Sequence, residues 1–229
     1  MTAHSLIFGL SADPVHTGHV EMVTQSVRAL TARGYEISRV LLIPVYRRNP
    51  VGRDKSRLPD TFAHRLALCR LAAQEISRRL GCAPGYVQAS AIEAELARGR
   101  SAPNYTVNTL KVLKLRAAPG EGLIFLISSE LVSGQDPELA RWRRPDQLLR
   151  LAHLAICPRP GYPLNMPFLQ AVERRGSRVI VLSEVETSDV ASTELRAQLQ
   201  AGVRPLALAY HELLPIAVAR YLTVHNLYA

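Results

Sequence analysis

Short apolar runs alternate along this chain with longer segments of helical periodicity, and this alternation limits the folds that are possible. The apolar runs predict six strands, at 6–10, 40–44, 86–89, 123–127, 154–157 and 178–182. The other segments predict helices at 18–33, 59–80, 106–116, 146–152, 168–175, 192–200 and 215–225, with a polar loop at 45–58. Strands separated by crossovers of about a dozen residues or more are typical of parallel sheets.

The predicted fold class is therefore α/β: a Rossmann-like, doubly wound parallel sheet with helices on both faces. The 229 residues contain no repeat and no segment that would act as a linker, so we expect a single domain, 1–229. Hydrophobic residues make up 48% and charged residues 21%, which excludes disorder of the whole chain.

Composition also indicates where the protein works. No apolar run approaches the roughly 18 residues that span a bilayer, so we expect no membrane partner. The apolar stretch at 6–12 lacks a basic lead-in, and a secretory signal is not expected. Cys69, Cys82 and Cys157 are few and scattered, which fits neither a disulfide framework nor a zinc site. We expect a cytoplasmic protein.

The net charge of +9 favours anionic partners. It does not by itself distinguish nucleotides from nucleic acid. The arginines are spread along the chain and no motif for binding RNA or DNA is present, so a nucleic-acid-binding protein is the weaker interpretation.

The turn after the first predicted strand carries two histidines at a helix entrance. It matches neither a phosphate-binding Walker loop nor a dinucleotide fingerprint. His16 and His19 share a helical face with Gly18 between them, and a helix start offers free N–H groups and a partial positive charge. These features predict a phosphate pocket without a lysine. The alternatives are a capping or packing role, or a pair of metal ligands that lacks an evident third member.

A second group of residues begins a helix near the other end of the chain. Ser192 and Thr193 stand at the predicted helix start, and Arg196 follows one turn later on the same side. Hydroxyl and N–H groups together with a guanidinium fork can hold phosphate oxygens. The alternative is a plain helix cap with a solvated arginine.

Five ordered segments resemble the nicotinate-nucleotide adenylyltransferase family, and they extend over nearly the whole chain. They are D-P-V-H-T-G-H at 13–19, which contains the H-x-G-H signature of the nucleotidyltransferase superfamily, N-Y-T-V-N-T-L at 104–110, Trp142 with L-L at 148–149 and A-H-L at 152–154, R-P-G-Y at 159–162, and D-V-A-S-T-E-L-R at 189–196. H-x-G-H alone is moderately specific, whereas the ordered set is strong.

The resemblance implies transfer of the adenylyl group of ATP to nicotinate mononucleotide, a step towards NAD. It implies that His16 stabilises the transition state and that His19 and Arg196 hold phosphates. The implied ATP-binding residues are Gly9, Ser11, His16, Gly18, His19, Glu130, Ser192, Thr193 and Arg196. The implied acceptor-binding residues are Arg47, Arg48, Tyr105, Thr106 and Trp142. Mg²⁺ is expected on the phosphates of ATP and not in a protein metal cage.

The chain departs from the family pattern at several positions. Leu10 replaces the second glycine of the first turn, Ala12 replaces a phenylalanine, and Glu130 replaces an aspartate. The family's P-P-H-K after the second strand is absent, and Arg47 and Arg48 stand there. Two alternatives therefore stay open: transfer to another phosphorylated acceptor such as nicotinamide mononucleotide, and a non-catalytic ATP-binding sensor. The sequence leaves the oligomeric state open, and a homo-oligomer is possible.

Overall fold

The computed structural model describes residues 2–47, 61–99, 104–188 and 190–228. A single six-stranded, fully parallel sheet forms its centre, with the strand order β3-β2-β1-β4-β5-β6. The strands are β1 (Ala3–Leu10), β2 (Glu36–Pro44), β3 (Val87–Ala89), β4 (Gly122–Ser128), β5 (His153–Cys157) and β6 (Val179–Val181). The predicted Rossmann-like fold class is confirmed.

Helices cover both faces of the sheet. Those in the described part of the chain are α1 (Thr17–Ala32), α2 (Phe62–Leu80), α3 (Ile92–Ala97), α4 (Thr106–Arg116), α5 (Pro145–Leu151), α6 (Met166–Arg174), α7 (Ser192–Gln200), α8 (Pro205–Tyr210) and α9 (Ile216–Val224). Short 3₁₀ helices follow β4 at Ser129–Val132 and at Glu138–Arg141. The sequence analysis missed α3 and α8, because six residues do not complete two helical turns and show little periodicity.

The side chains of β1 show how the sheet separates two hydrophobic cores. Leu6, Phe8 and Leu10 belong to the core that contains residues of α1, α2, α7, α8 and α9. Ile7 belongs to the second core, with residues of α3 to α6. Alternate side chains of a strand point to opposite faces. Each large apolar side chain buried in this way stabilises the fold by about 1.5–3 kcal/mol.

The order of the strands creates a crevice at one edge of the sheet. From β1 the chain first winds through β2 and β3 on one side and then through β4, β5 and β6 on the other. In such a sheet the connections leave β1 and β4 on opposite faces, which opens a crevice beyond their carboxyl ends. The turn at 11–16 follows β1 directly and therefore lies at this crevice.

The structure also bears on two features considered from composition, namely membrane spans and the cysteines. None of the helices in the described part of the chain has the length and hydrophobicity that a membrane span requires. The three cysteines are free thiols, and Cys69 and Cys157 are buried. Burial raises the pKa of Cys69 to about 12 and that of Cys157 to about 11, so both thiols are protonated at neutral pH.

Candidate active site

The two histidines of the first motif lie against each other at the start of α1. His16 is the extended residue that precedes the helix. The Nδ1 atom of His19 accepts a hydrogen bond from the main-chain N–H of His16 at 3.2 Å, and the ring centroids are 3.7 Å apart. Because Nδ1 of His19 is an acceptor, neutral His19 carries its proton on Nε2.

His16 is buried and is held in its neutral form. The residue is 6% exposed, and its Nδ1 atom finds no hydrogen-bond partner among the described residues. Burial is the main cause that lowers the pKa of His16 well below 6.5, and the charges of His19 and Arg159 lower it further. An unsatisfied buried polar atom costs about 1–3 kcal/mol. A ligand oxygen at this position would remove that cost.

Gly18 allows another part of the chain to approach the helix start. A β-carbon at this position would collide with Oγ of Ser188 and would lie 3.1 Å from Nδ1 of His16. A glycine here is therefore a requirement of packing around the His16 ring. Ser188 was not singled out from the sequence, since nothing in its local pattern points to a distant helix.

The second motif touches the first. The side chain of Arg196 is 17% exposed, and its Nη1 donates a hydrogen bond to the main-chain oxygen of Asp13 at 2.6 Å. Its Nη2 donates to Oγ1 of Thr193 at 3.1 Å. Ser192 Oγ donates to the main-chain oxygen of Pro14 at 3.2 Å. The start of α7 therefore packs against the turn that leads into α1.

Asp13 connects this contact to a residue far along the chain. Its side chain is fully buried. One carboxylate oxygen accepts a hydrogen bond from the hydroxyl of Tyr228 at 2.7 Å, and the other lies 3.5 Å from Nη1 of Arg196. Asp13 therefore holds Nη1 of Arg196 through both its main-chain oxygen and its carboxylate. No local pattern indicates Tyr228, because the contact joins residues 215 positions apart.

At the end of β1, the predicted ATP-binding residue Gly9 and its neighbour Leu10 lie on opposite faces of the strand. Gly9 is exposed, and a β-carbon there would meet only the ring of Phe125, at 3.8 Å. Leu10 is 6% exposed and packs in the core beside α1, so its side chain points away from the open surface at Gly9. The carbonyl of Ser11 accepts a hydrogen bond from Arg65 at 3.1 Å.

Glu130 is held by an arginine that sequence analysis assigned no role. Nη1 of Arg159 donates to Oε2 of Glu130 at 2.7 Å. Ser129 fixes this arginine in turn, since its Oγ accepts from the N–H of Arg159 at 2.9 Å and donates to the carbonyl of Tyr162 at 2.8 Å. The sequence feature that could have indicated Arg159 is the R-P-G-Y segment, which follows β5 at the carboxyl edge of the sheet.

The predicted acceptor residues form two groups with different neighbours. The rings of Trp142 and Phe125 have centroids 6.1 Å apart, which places the indole on the face of the sheet where Gly9 is open. Tyr105 precedes α4, Thr106 is its first residue, and the guanidinium of Arg143 lies 5.8 Å from the Tyr105 ring.

Arg47 belongs to the other group, in the loop after β2. Its guanidinium lies 5.4 Å from the ring of Tyr46, which packs edge-on against Phe62 with centroids 4.9 Å apart. Arg48 lies outside the described residues, as does the predicted helix start at Pro59. The roles proposed for both acceptor groups stay predictions.

The donors of the site suit anions better than cations. Its side chains contribute imidazoles, a guanidinium and hydroxyls, whereas the carboxylates of Asp13 and Glu130 are engaged by Tyr228 and Arg159. Within the ranges that the structure describes, no group of three or more His, Cys, Asp or Glu side chains is arranged to hold a metal ion.

Comparison with known proteins identifies the class to which this fold and site belong. The chain belongs to the cytidylyltransferase-like family, whose model matches residues 7–198. Among its relatives are proteins named probable nicotinate-nucleotide adenylyltransferase. The protein of Roseiflexus sp. is 30% identical over 97% of this chain and 96% of its own length, and that of Klebsiella pneumoniae is 28% identical over 100% and 98%. The resemblance to nicotinate-nucleotide adenylyltransferases is confirmed.

Solved structures show the same fold. The nicotinic acid mononucleotide adenylyltransferase of Plasmodium falciparum, complexed with APC, matches with a TM-score of 0.69 at 16% identity, over 98% of this chain and 96% of that protein. The same enzyme complexed with NaAD matches with a TM-score of 0.69 at 18% identity, over 99% and 97%.

Proposed function

We propose that this chain transfers the adenylyl group of ATP to nicotinate mononucleotide, which yields nicotinate adenine dinucleotide and pyrophosphate on the way to NAD. The names of its relatives support the acceptor. The observation that carries the proposal is the contact of Arg196 with Asp13, because it brings the cation of α7 to the turn that holds His16. The partners are ATP and a pyridine mononucleotide, in the cytoplasm.

The proposed reaction needs little covalent chemistry from the protein. A phosphate oxygen of the mononucleotide attacks the α-phosphorus of ATP, and the bond from that phosphorus to the bridging oxygen of pyrophosphate breaks. A phosphate monoester is already anionic near neutral pH, so no strong general base is required. Catalysis then depends on alignment of the two phosphates and on stabilisation of charge in the transition state.

The histidine pair and Arg196 supply that stabilisation. Neutral His16, whose Nδ1 is unsatisfied, is placed to donate to the α-phosphoryl oxygens as charge develops there. His19, with its proton on Nε2, and Arg196 hold the outgoing phosphates. The partial positive charges at the starts of α1 and α7 add positive potential.

Residues around the histidine pair and Arg196 are proposed to make the remaining contacts with ATP. Gly9, Ser11 and Gly18 are proposed to bring main chain close to the nucleotide. Thr193, whose hydroxyl accepts from Arg196, can donate its proton to a phosphate, and Ser192 would do so after leaving the carbonyl of Pro14. One oxygen of Glu130 binds Arg159, which leaves the other for a ribose hydroxyl.

The acceptor lies on the side of Trp142. An indole stacked on a pyridinium ring contributes about 0.5–2 kcal/mol. Tyr105 and Thr106 are proposed to contact the acceptor from the start of α4, and Arg47 to bind the mononucleotide phosphate from the loop after β2. For Arg48 the same role stays a prediction from the sequence.

Mg²⁺ is proposed to enter this site bound to ATP. The cationic and hydroxyl side chains around His16 offer it few of the oxygen ligands that it prefers. The ion would be held mainly by the phosphate oxygens, where it neutralises charge on the departing pyrophosphate. No dedicated side-chain cage for it is proposed.

Pyrophosphate release tests the proposed function directly. The assay compares nicotinate mononucleotide with nicotinamide mononucleotide, each with ATP and Mg²⁺. We expect release with nicotinate mononucleotide, and a fall in turnover of roughly 10²–10³-fold in His16→Ala, the usual effect of one transition-state donor. His211→Ala, which changes an exposed histidine on the surface, is the matched control.

Three other outcomes would change the conclusion. ATP binding without pyrophosphate release, with either acceptor, would favour the sensor alternative. A preference for nicotinamide mononucleotide would change the acceptor but leave the chemistry in place. Unchanged turnover in His16→Ala would remove His16 from the mechanism.

A further inference from the structure

A guanidinium lies buried beneath the site, at a position where the sequence pattern calls for an apolar side chain. Arg65 of α2 is 1% exposed and shares the buried face of that helix with Cys69, Ala72 and Ile76. Burial lowers its pKa, but a guanidinium stays charged at neutral pH. Burying a charge costs several kcal/mol unless hydrogen bonds compensate it. The position of Arg65 therefore calls for an explanation in terms of its contacts.

These contacts join two strand ends. Nη1 of Arg65 donates to the main-chain oxygen of Ser11 at 3.1 Å and to that of Val45 at 2.5 Å, and Nη2 donates to the main-chain oxygen of Tyr46 at 3.2 Å. Ser11 follows β1, on the proposed ATP side. Val45 and Tyr46 follow β2, on the proposed acceptor side. One planar fork thus fixes the spacing of the two loops.

A second buried residue holds the same loop from the other side. Glu93 of α3 is 7% exposed, and its Oε2 accepts a hydrogen bond from the main-chain N–H of Tyr46 at 2.9 Å. Its Oε1 lies 3.4 Å from Oγ1 of Thr109 in α4, which accepts from Nδ2 of Asn104 at 2.7 Å. The loop after β2 is thereby tied to the helix that begins at Thr106.

We infer that Arg65 and Glu93 are positioning residues for the acceptor: they clamp the main chain of Tyr46 between them and so set the distance from the loop after β2 to the ATP side. This inference rests on the proposed function. Neither residue touches substrate. Their effect passes through Tyr46 to Arg47, whose guanidinium lies against the Tyr46 ring.

Arg65→Lys is the main test. Lysine keeps the charge but lacks the planar fork, so its single nitrogen does not reproduce the spacing of Nη1 and Nη2 that serves the three carbonyls. We expect the KM for nicotinate mononucleotide to rise roughly 10- to 100-fold, because misplacement by about 1 Å has effects of this size. The KM for ATP should rise much less, within about threefold, because Ser11 directly follows β1 and stays anchored by that strand, and because the histidine pair and Arg196 are untouched.

Arg33→Lys is the matched control. Arg33 also bonds a distant carbonyl, that of Val181 at 2.8 Å, but it lies at the opposite end of α1. Its lysine variant should lower the melting temperature at most and leave both KM values unchanged. Glu93→Gln keeps an acceptor for the Tyr46 N–H and should behave like the parent, whereas Glu93→Ala should reproduce the Arg65→Lys phenotype. If Arg65→Lys does not fold, the two Glu93 variants provide the same test.

Amide hydrogen exchange at Tyr46 provides a readout that needs no activity. Faster exchange in Arg65→Lys and Glu93→Ala, but not in Arg33→Lys, together with the selective rise in acceptor KM, would support the inference. Unchanged exchange, or a rise of both KM values in parallel, would overturn it. If the parent protein releases no pyrophosphate, the proposed function fails, and the exchange data alone then decide whether the clamp exists.

Discussion

The guanidinium of Arg196 donates a hydrogen bond to the main-chain oxygen of Asp13, although 183 positions separate the two residues. Asp13 lies on the turn between β1 and α1, and Arg196 lies in α7, beyond the last strand. The contact forms only when the last third of the chain has docked on the first strand. The site is therefore a product of the complete fold and not of either motif alone.

Arg196→Lys should separate charge from geometry at this contact. A lysine cannot bond both Asp13 and a phosphate through a planar fork, so we expect kcat/KM for ATP to fall roughly 10- to 100-fold. Arg196→Ala should lower it by about 10²–10³-fold. Steady-state pyrophosphate release over a range of ATP concentrations measures both. Arg70→Ala, on the exposed surface of α2, is the control, and an equal loss in that variant would speak against a specific role.

The two amide substitutions of His19 should have opposite effects. The amide oxygen of asparagine can take the place of Nδ1 and accept from the His16 N–H, which preserves the start of the helix. Glutamine reaches the place of Nε2 instead. We expect His19→Asn to keep the melting temperature and to lose roughly 10²-fold in turnover, with His19→Gln retaining more turnover and less stability. Thermal unfolding and turnover of both variants would decide this, and parallel losses would contradict it.

Gly18→Ala should disturb packing and activity together. Its new methyl group would collide with Oγ of Ser188 and press on the His16 ring. Overpacking of this kind costs about 1–3 kcal/mol. The double variant Gly18→Ala with Ser188→Ala removes the first clash only, so it should regain stability but not turnover. Urea unfolding measures the first and pyrophosphate release the second; full recovery of both would show that the His16 contact is unimportant.

Glu75 should make stability depend on pH in the acid range. Hydrogen bonds from Arg78, and then from Arg79, lower the pKa of Glu75 from 4.5 to about 2. A carboxyl whose pKa is lower in the folded state stabilises the fold above pH 4.5, and this contribution disappears as the pH falls towards 2. Since the pair is partly solvated, we expect Glu75→Gln to cost only about 0.5–1 kcal/mol at pH 7.

Urea unfolding at several pH values tests this. The difference between Glu75→Gln and the parent should shrink once the pH falls below 4.5. Glu173→Gln, which alters an exposed carboxyl of α6, should show no such trend. A constant difference at every pH would rule out the carboxylate as the source.

Local pattern was enough to predict the six strands, the fold class and the histidine pair, because each depends on neighbours within a few residues. Tertiary contacts decided the rest. Helices α3 and α8 are too short to show periodicity. Arg65 occupies a place in the buried stripe of α2 where a charge is explained only by the carbonyls of two distant loops. Tyr228 contacts Asp13 from the far end of the sequence, which no local signal indicates.

Leu10 stands where the family pattern has a second glycine, yet its side chain does not enter the open surface at Gly9. Adjacent positions of a strand face opposite sides of the sheet. Gly9 borders open space, whereas Leu10 packs in the interior next to α1. The inward position therefore accepts an aliphatic side chain that fills this volume. In a chain that carries only one of the two glycines, the glycine at the outward position is the one that keeps the surface at the carboxyl end of β1 open.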